Sequence, residues 1–122
     1  MKRSSEVIRI ENLDARQDGV AVVQVRGQAV LRLWGEHDLS TVGLLRTALA
    51  EMLERDDDVV IDLSEVTFLG SSTMKTLAIG RDLFAARGHA LVVRSPTRRQ
   101  RQMLEICDLA DLIESGPATI SA

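Results

Sequence analysis

Three hydroxyls in a row, Ser71-Ser72-Thr73, sit between an apolar run and an amphipathic one. At a strand-to-helix junction they would meet the free N–H groups and positive dipole end of the helix, where an anion is stabilised. A phosphate esterified to one of them would be favoured in place. The structural alternative is that Ser71 or Ser72 merely caps the helix. A second group, Glu36-His37-Asp38, could hold a metal or supply a general base, although a surface turn explains the same residues. Asp56-Asp57-Asp58 lacks the glycine and distal Glu of a calcium loop, and a solvated charge run accounts for it. Cys107 is the single cysteine; it reads as a small packed hydrophobe and can form no internal disulfide. No Gly-x-Gly-x-x-Gly, phosphate-loop or His-Glu-x-x-His motif is present, so neither catalysis nor a metal or cofactor is expected.

The elements that must position these groups follow from periodicity. Residues 20–25 (Val-Ala-Val-Val-Gln-Val) and 30–34 (Val-Leu-Arg-Leu-Trp) read as strands around a glycine turn, an N-terminal hairpin. Val42, Leu45, Ala48, Leu49, Met52 and Leu53 recur at helical spacing, with Ser40 or Thr41 as cap and an end by Arg55. Residues 59–63 (Val-Val-Ile-Asp-Leu) suit a central strand buried on both faces. A second amphipathic helix is expected from about Met74 to before Gly88, then a strand over residues 90–93. Thr97 and Gln100 make a capping box that opens a third helix, and Leu109 with Leu112-Ile113 closes the sheet. The fold class expected is α/β: a small mixed, mostly parallel sheet, a hairpin in front, and three to four helices packed on it.

A chain of 122 residues supports one core, here assigned to residues 20–115. Residues 1–19 form an extension in which Val7, Ile8 and Ile10 suit a short strand, and residues 116–122 a loose tail. The formal net charge of −3 disfavours a general DNA or RNA binder. The longest stretch without a charge, residues 66–74, is far too short to span a membrane. The basic start runs into Glu6, Arg9 and Glu11 rather than an apolar block, so export is not expected and the cytoplasm is.

Residues 60–73, Val-Ile-Asp-Leu-Ser-Glu-Val-Thr-Phe-Leu-Gly-Ser-Ser-Thr, resemble the segment of the STAS domain family that ends in Asp-Ser-Ser-Gly or Asp-Ser-Thr-Gly. Residues 33–41, with Gly35-Glu36-His37-Asp38, are similar to its Gly-Glu-x-Asp turn. Ser95-Pro96 and residues 104–112 are similar to its third helix and final strand. The resemblance runs from Ala29 to Ile113, and it is to the small stand-alone anti-sigma factor antagonists in particular. It implies a protein that binds an anti-sigma factor, often a serine kinase with a histidine-kinase-like fold, and lets go once its first motif serine is phosphorylated. A serine phosphatase resets it. By position that serine is Ser71, with Ser72 and Thr73 as fallback acceptors. Gly70, Ser71, Ser72, Thr73 and Met74 are then expected at the partner interface, supported by Glu36 and Asp38 of the turn.

Two departures mark this chain. Gly70 stands where the family usually has an acidic residue, which removes a hydrogen-bond partner and a repulsive charge, and permits an unusual backbone conformation. Thr73 stands where it usually has glycine. A basic cluster, Arg94, Arg98, Arg99 and Arg101, reads as a solvated helix face or as a contact, centred on Arg98 and Arg99, for an acidic partner surface or an anionic ligand. Alternatives to the phosphorylation switch are an unmodified scaffold or sensor subunit and a small anionic-ligand or nucleotide-binding module. Oligomeric state, a homodimer included, is left open.

Overall fold

The computed structural model describes residues 5–10 and 18–114. The expected tail at 116–122 lies outside the described residues, as does the extension apart from the strand at 5–10 and residues 18 and 19. The elements are β1 (Ser5–Ile10), β2 (Gly19–Val25), β3 (Gln28–His37), α1 (Val42–Arg55), β4 (Val59–Leu69), α2 (Ser71–Ala86), β5 (Leu91–Arg94), α3 (Arg98–Ile106) and a short 3-10 turn (Ala110–Leu112). One sheet carries the strands in chain order, β1-β2-β3-β4-β5. The front of it is antiparallel, β1 with β2 and β2 with β3. The rest is parallel, β3 with β4 and β4 with β5, and a single parallel bridge from Val93 to Ile113 extends the far edge.

Arg26 and Gly27 close the expected hairpin with φ of 54° and 82°. Two successive positive φ values give the turn whose twist matches paired strands. Alternation then sends Val20, Val22, Leu31, Leu33, Val59, Ile61 and Leu63 to the face that the helices cover. Val23, Val30 and Val60 form a smaller cluster apart from it. From the helices, Leu45, Ala48, Met52, Leu77, Phe84 and Leu104 complete the main core, and Leu109 and Leu112 are buried with them.

Two boundaries near the hydroxyl run differ from the expectation. β4 runs on to Leu69, because register shifts opposite Arg32/Trp34 and Gly35/Glu36 each add a residue to it. Two β-bulges turn a period of two into three, so Leu63, Val66 and Leu69 all face the core while Phe68 turns outward. α2 opens at Ser71, not near Met74, and Gly70 is its cap, with no side-chain hydrogen bond. Neither Ser71 nor Ser72 caps the helix, and both lie inside its first turn. α1 begins after Thr41 but likewise lacks a side-chain cap. α3 has the expected box: the Gln100 N–H donates to Thr97 Oγ1 at 3.1 Å and the Thr97 N–H to Gln100 Oε1 at 2.9 Å. Gln100 Nε2 also donates to the Val66 carbonyl at 3.2 Å, which ties α3 to the bulged part of β4.

Two residues of the charge run after α1, Asp56 and Asp58, are partnered rather than merely solvated. Asp56 takes a left-handed φ of 64°, and its carboxylate lies 3.0 Å from His89 Nε2. Asp58 Oδ1 lies 3.0 Å from His89 Nδ1 and also accepts the Ala90 N–H. The hydrogen bonds to Asp58 and Asp56 raise the His89 pKa above its ordinary value. Asp58 is held low, by the Ala90 N–H first and His89 next. A raised histidine stabilises the fold fully below its unfolded pKa of about 6.5 and loses that contribution as pH climbs through the folded value. A depressed carboxylate contributes above its unfolded pKa of about 3.9 and loses it as pH falls through the folded one. The clamp is therefore strongest between these limits. Urea midpoints should decline above neutrality in the parent chain and stay flatter in His89→Ala; parallel profiles would refute the clamp.

Candidate functional site

Parallel pairing of β3 with β4 brings His37 opposite Leu69, so the β3–α1 turn and the β4–α2 junction lie side by side. Such a place, beyond the carboxyl ends of parallel strands, is where α/β sheets present ligand sites. The His37 carbonyl accepts two hydrogen bonds there, from the Gly70 N–H at 2.7 Å and from Thr73 Oγ1 at 2.9 Å. These anchor the first turn of α2. Beside it Asp38 Oδ1 accepts the Ser40 N–H at 2.9 Å and the Ser40 hydroxyl at 2.7 Å, bonds that keep its carboxyl below the usual range. Thr41 closes the turn by donating its N–H to the Asp38 carbonyl.

The first turn of α2 divides its side chains sharply. Ser71 is exposed and Ser72 half-buried. Among the described residues none hydrogen-bonds the Ser71 hydroxyl. Thr73 is fully buried and Met74 nearly so, at 0% and 3% exposure. Their expected place at the interface is corrected: Thr73 Oγ1 is spent on the His37 carbonyl and Met74 fills the core. Thr73 is thereby excluded as a fallback acceptor in the folded chain.

The reason for Gly70 is also revised. Its φ of −89° is open to any residue. What a side chain lacks is room, since a Cβ would lie 3.2 Å from the Asp38 Cβ and 3.3 Å from Phe68 Cε2. Gly70→Ala should cost about 1–2 kcal/mol through this crowding. A urea midpoint equal to that of the parent chain would show that the turn yields freely.

His37 is fully buried, which corrects its reading as a surface residue. Its Nε2 lies 3.1 Å from the carbonyls of both Gly19 and Trp34, so that nitrogen carries the proton and donates to them. Burial pushes its pKa down, against those hydrogen bonds, and it stays neutral. Glu36 points away, exposed. The trio does not converge, and among the described residues no His, Cys, Asp or Glu cluster could hold a metal.

What the structure does assemble is an open groove of about 660 Å³ beside Ser71. Leu39, Phe68 and Ile79 line it at 77%, 51% and 54% exposure, and Arg46 and Lys75 add positive charge. Asp38, Gly70, Ser71 and Ser72 belong to it; Glu36, Arg98 and Arg99 do not. None of the apolar three was singled out from the sequence. Leu39, an apolar residue between Asp38 and Ser40 in a polar turn, was the available signal. Exposed apolar side chains rimmed by polar groups are the make-up of interaction surfaces and ligand grooves.

A five-stranded sheet with antiparallel front and parallel rear, helices against one face and a serine opening α2 are the features of the STAS class. The family model for Mlab, STAS domain matches residues 20–114, and the chain belongs to that family. Among curated proteins it is 45% identical over 60 residues to the anti-sigma-F factor antagonist RsfB of Mycobacterium tuberculosis, a match covering 48% of this chain and 49% of that one. The chain thus matches about half the length of this curated relative. Among solved structures, an anti-sigma factor antagonist from Mycobacterium paratuberculosis is 29% identical with a TM-score of 0.65, over 86% of this chain and 92% of that one. The phosphorylated form of SpoIIAA, a Bacillus cell fate determinant, shares the fold at 14% identity, with a TM-score of 0.62 over 94% and 96% of the two chains.

Proposed function

We propose that the chain is an anti-sigma factor antagonist that works by partner switching. Unmodified, it docks an anti-sigma factor through the Ser71 groove and so frees a sigma factor. The observation that carries this reading is an exposed, unengaged Ser71 hydroxyl on the first turn of α2, beside the exposed apolar side chains Leu39, Phe68 and Ile79. The partner, or another serine kinase, transfers the γ-phosphoryl of ATP to Ser71 Oγ. The hydroxyl proton passes to a kinase base and ADP leaves. The ester adds about −1.5 to −2 charges to a surface that must be desolvated to dock, and the complex separates. A phosphatase delivers water to the phosphorus, restoring serine and releasing inorganic phosphate. The chain supplies the surface and the acceptor, and the chemistry belongs to its partners.

Likeness to antagonists in two mycobacteria supports the partner class. The site of action is the cytoplasm, where sigma factors operate; no helix among the described residues is long and apolar enough to cross a membrane. The test is capture from native-cell extract on immobilised Ser71→Ala chain, then incubation of the parent chain with the captured kinase and ATP. Intact mass should rise by one phosphate, and not in Ser71→Ala. A captured partner with no mass gain would leave the scaffold reading instead.

A further inference from the structure

The arginines at the start of α3 stand against the electrostatics of their own helix. Arg98, Arg99 and Arg101 are exposed in and just after its first turn, which holds no acidic residue. The helix dipole already makes that end positive. Among the described residues none gives any of the three a carboxylate or a hydrogen-bond acceptor for its guanidinium. Elsewhere Arg81 and Arg94 are paired, Arg81 Nη1 lying 3.0 Å from Asp111 Oδ1 and Arg94 Nε 2.8 Å from Glu114 Oε1, while Arg26, Arg46 and Arg55 stand singly rather than in a cluster. With 18 acidic residues against 15 basic ones, the lack of partners is no shortage of acids. Arg99 lines a groove of about 460 Å³ with Thr97, Met103 and Phe68. Phe68 lines the Ser71 groove as well, so the two surfaces meet at its ring.

We propose that the arginine end of α3 is a second docking surface, which takes an acidic segment of the same partner that covers the Ser71 groove. The proposal rests on the reading that a polypeptide docks at that groove. Charge complementarity selects the occupant. Guanidinium forks pair with carboxylates in a fixed geometry, and Phe68 and Met103 give an apolar floor to the segment's aliphatic stems. A nucleic acid or an anionic membrane carries charge well beyond this patch, over a chain whose net charge is −3 and which repels it. A short acidic stretch does not meet that penalty. Such contacts set partner choice and association rate, and salt weakens them.

The test compares the full chain with an Arg98→Glu/Arg99→Glu double variant. Acidic residues suit that helix end, so the variant should melt no lower than the parent. Against the captured anti-sigma factor its affinity should fall at least about 10-fold near 0.1 M salt and differ by less than about 3-fold near 0.5 M. Ser71→Asp runs alongside. If Ser71→Asp loses the partner while the double variant keeps both affinity and salt dependence, this inference is overturned and the Ser71 reading stands. If Ser71→Asp binds like the parent, it is the Ser71 reading that fails. A partner-independent arm titrates 15N-labelled chain with a 12-residue Glu-Leu peptide, a single-stranded DNA oligonucleotide and phosphatidylglycerol vesicles. Peptide-induced shifts at residue 68 and residues 97–103 support the acidic segment; a stronger response there to the oligonucleotide or the vesicles overturns it.

Discussion

Ser71→Asp should weaken binding of the anti-sigma factor about 100-fold, a change of about 3 kcal/mol, while Ser71→Ala stays within about 3-fold of the parent. The physical contrast is between a small exposed hydroxyl and a fixed charge at the centre of a surface that must give up water to dock. Arg46 and Lys75 line the same groove and offset part of that charge, so aspartate is a milder change than a phosphate. The loss cannot be laid to unfolding, because a carboxylate on the first turn of α2 is favoured by the helix dipole. Calorimetric titration of the captured partner with each variant, together with their melting temperatures, checks both halves. Equal affinities for Ser71→Asp and Ser71→Ala would remove the switch.

The second large effect is on stability, at a residue that looked like surface. His37→Leu removes the ring N–H that serves the Gly19 and Trp34 carbonyls and leaves the first, buried, and the second, partly buried, without that donor. At about 1–3 kcal/mol for a buried group left unsatisfied, the cost should be about 2–3 kcal/mol. The site suffers too, because the His37 carbonyl holds the Gly70 N–H and the Thr73 hydroxyl, and with them the first turn of α2. His37→Gln, which keeps an N–H donor at the same bond separation from Cα on a more flexible side chain, should recover part of the loss. Urea midpoints of the two variants decide it. A leucine variant as stable as the parent would show that the two carbonyls need no partner there.

Much of this architecture was legible in the sequence, and the failures have physical causes. The hairpin, α1 and the α3 box announce themselves through alternation, helical spacing and the Thr97–Gln100 pair, all local signals. β4 hid its second half because bulges break the period-two pattern after Leu63. α2 hid its first turn because Gly70 caps it through backbone alone, while Ser71-Ser72-Thr73 are residues that favour turns. His37 misled because Glu36 and Asp38 flank it, although neighbours along an extended strand face opposite ways. The Ser71-Ser72-Thr73 run stood out by its place after a strand, and the choice of Ser71 among the three came from the family resemblance; Ser71 is exposed. The groove beside it was not, since Leu39, Phe68 and Ile79 come from a turn, a strand and a helix that only the fold brings together.

The most direct measurement uses the phosphoprotein. Chain carrying a single phosphate on Ser71, verified by peptide fragmentation, is titrated into the captured anti-sigma factor beside the unmodified chain under identical salt. The expected result is a dissociation constant raised by about 100-fold or more, restored by phosphatase treatment. Identical constants for the two forms would contradict a switch at Ser71.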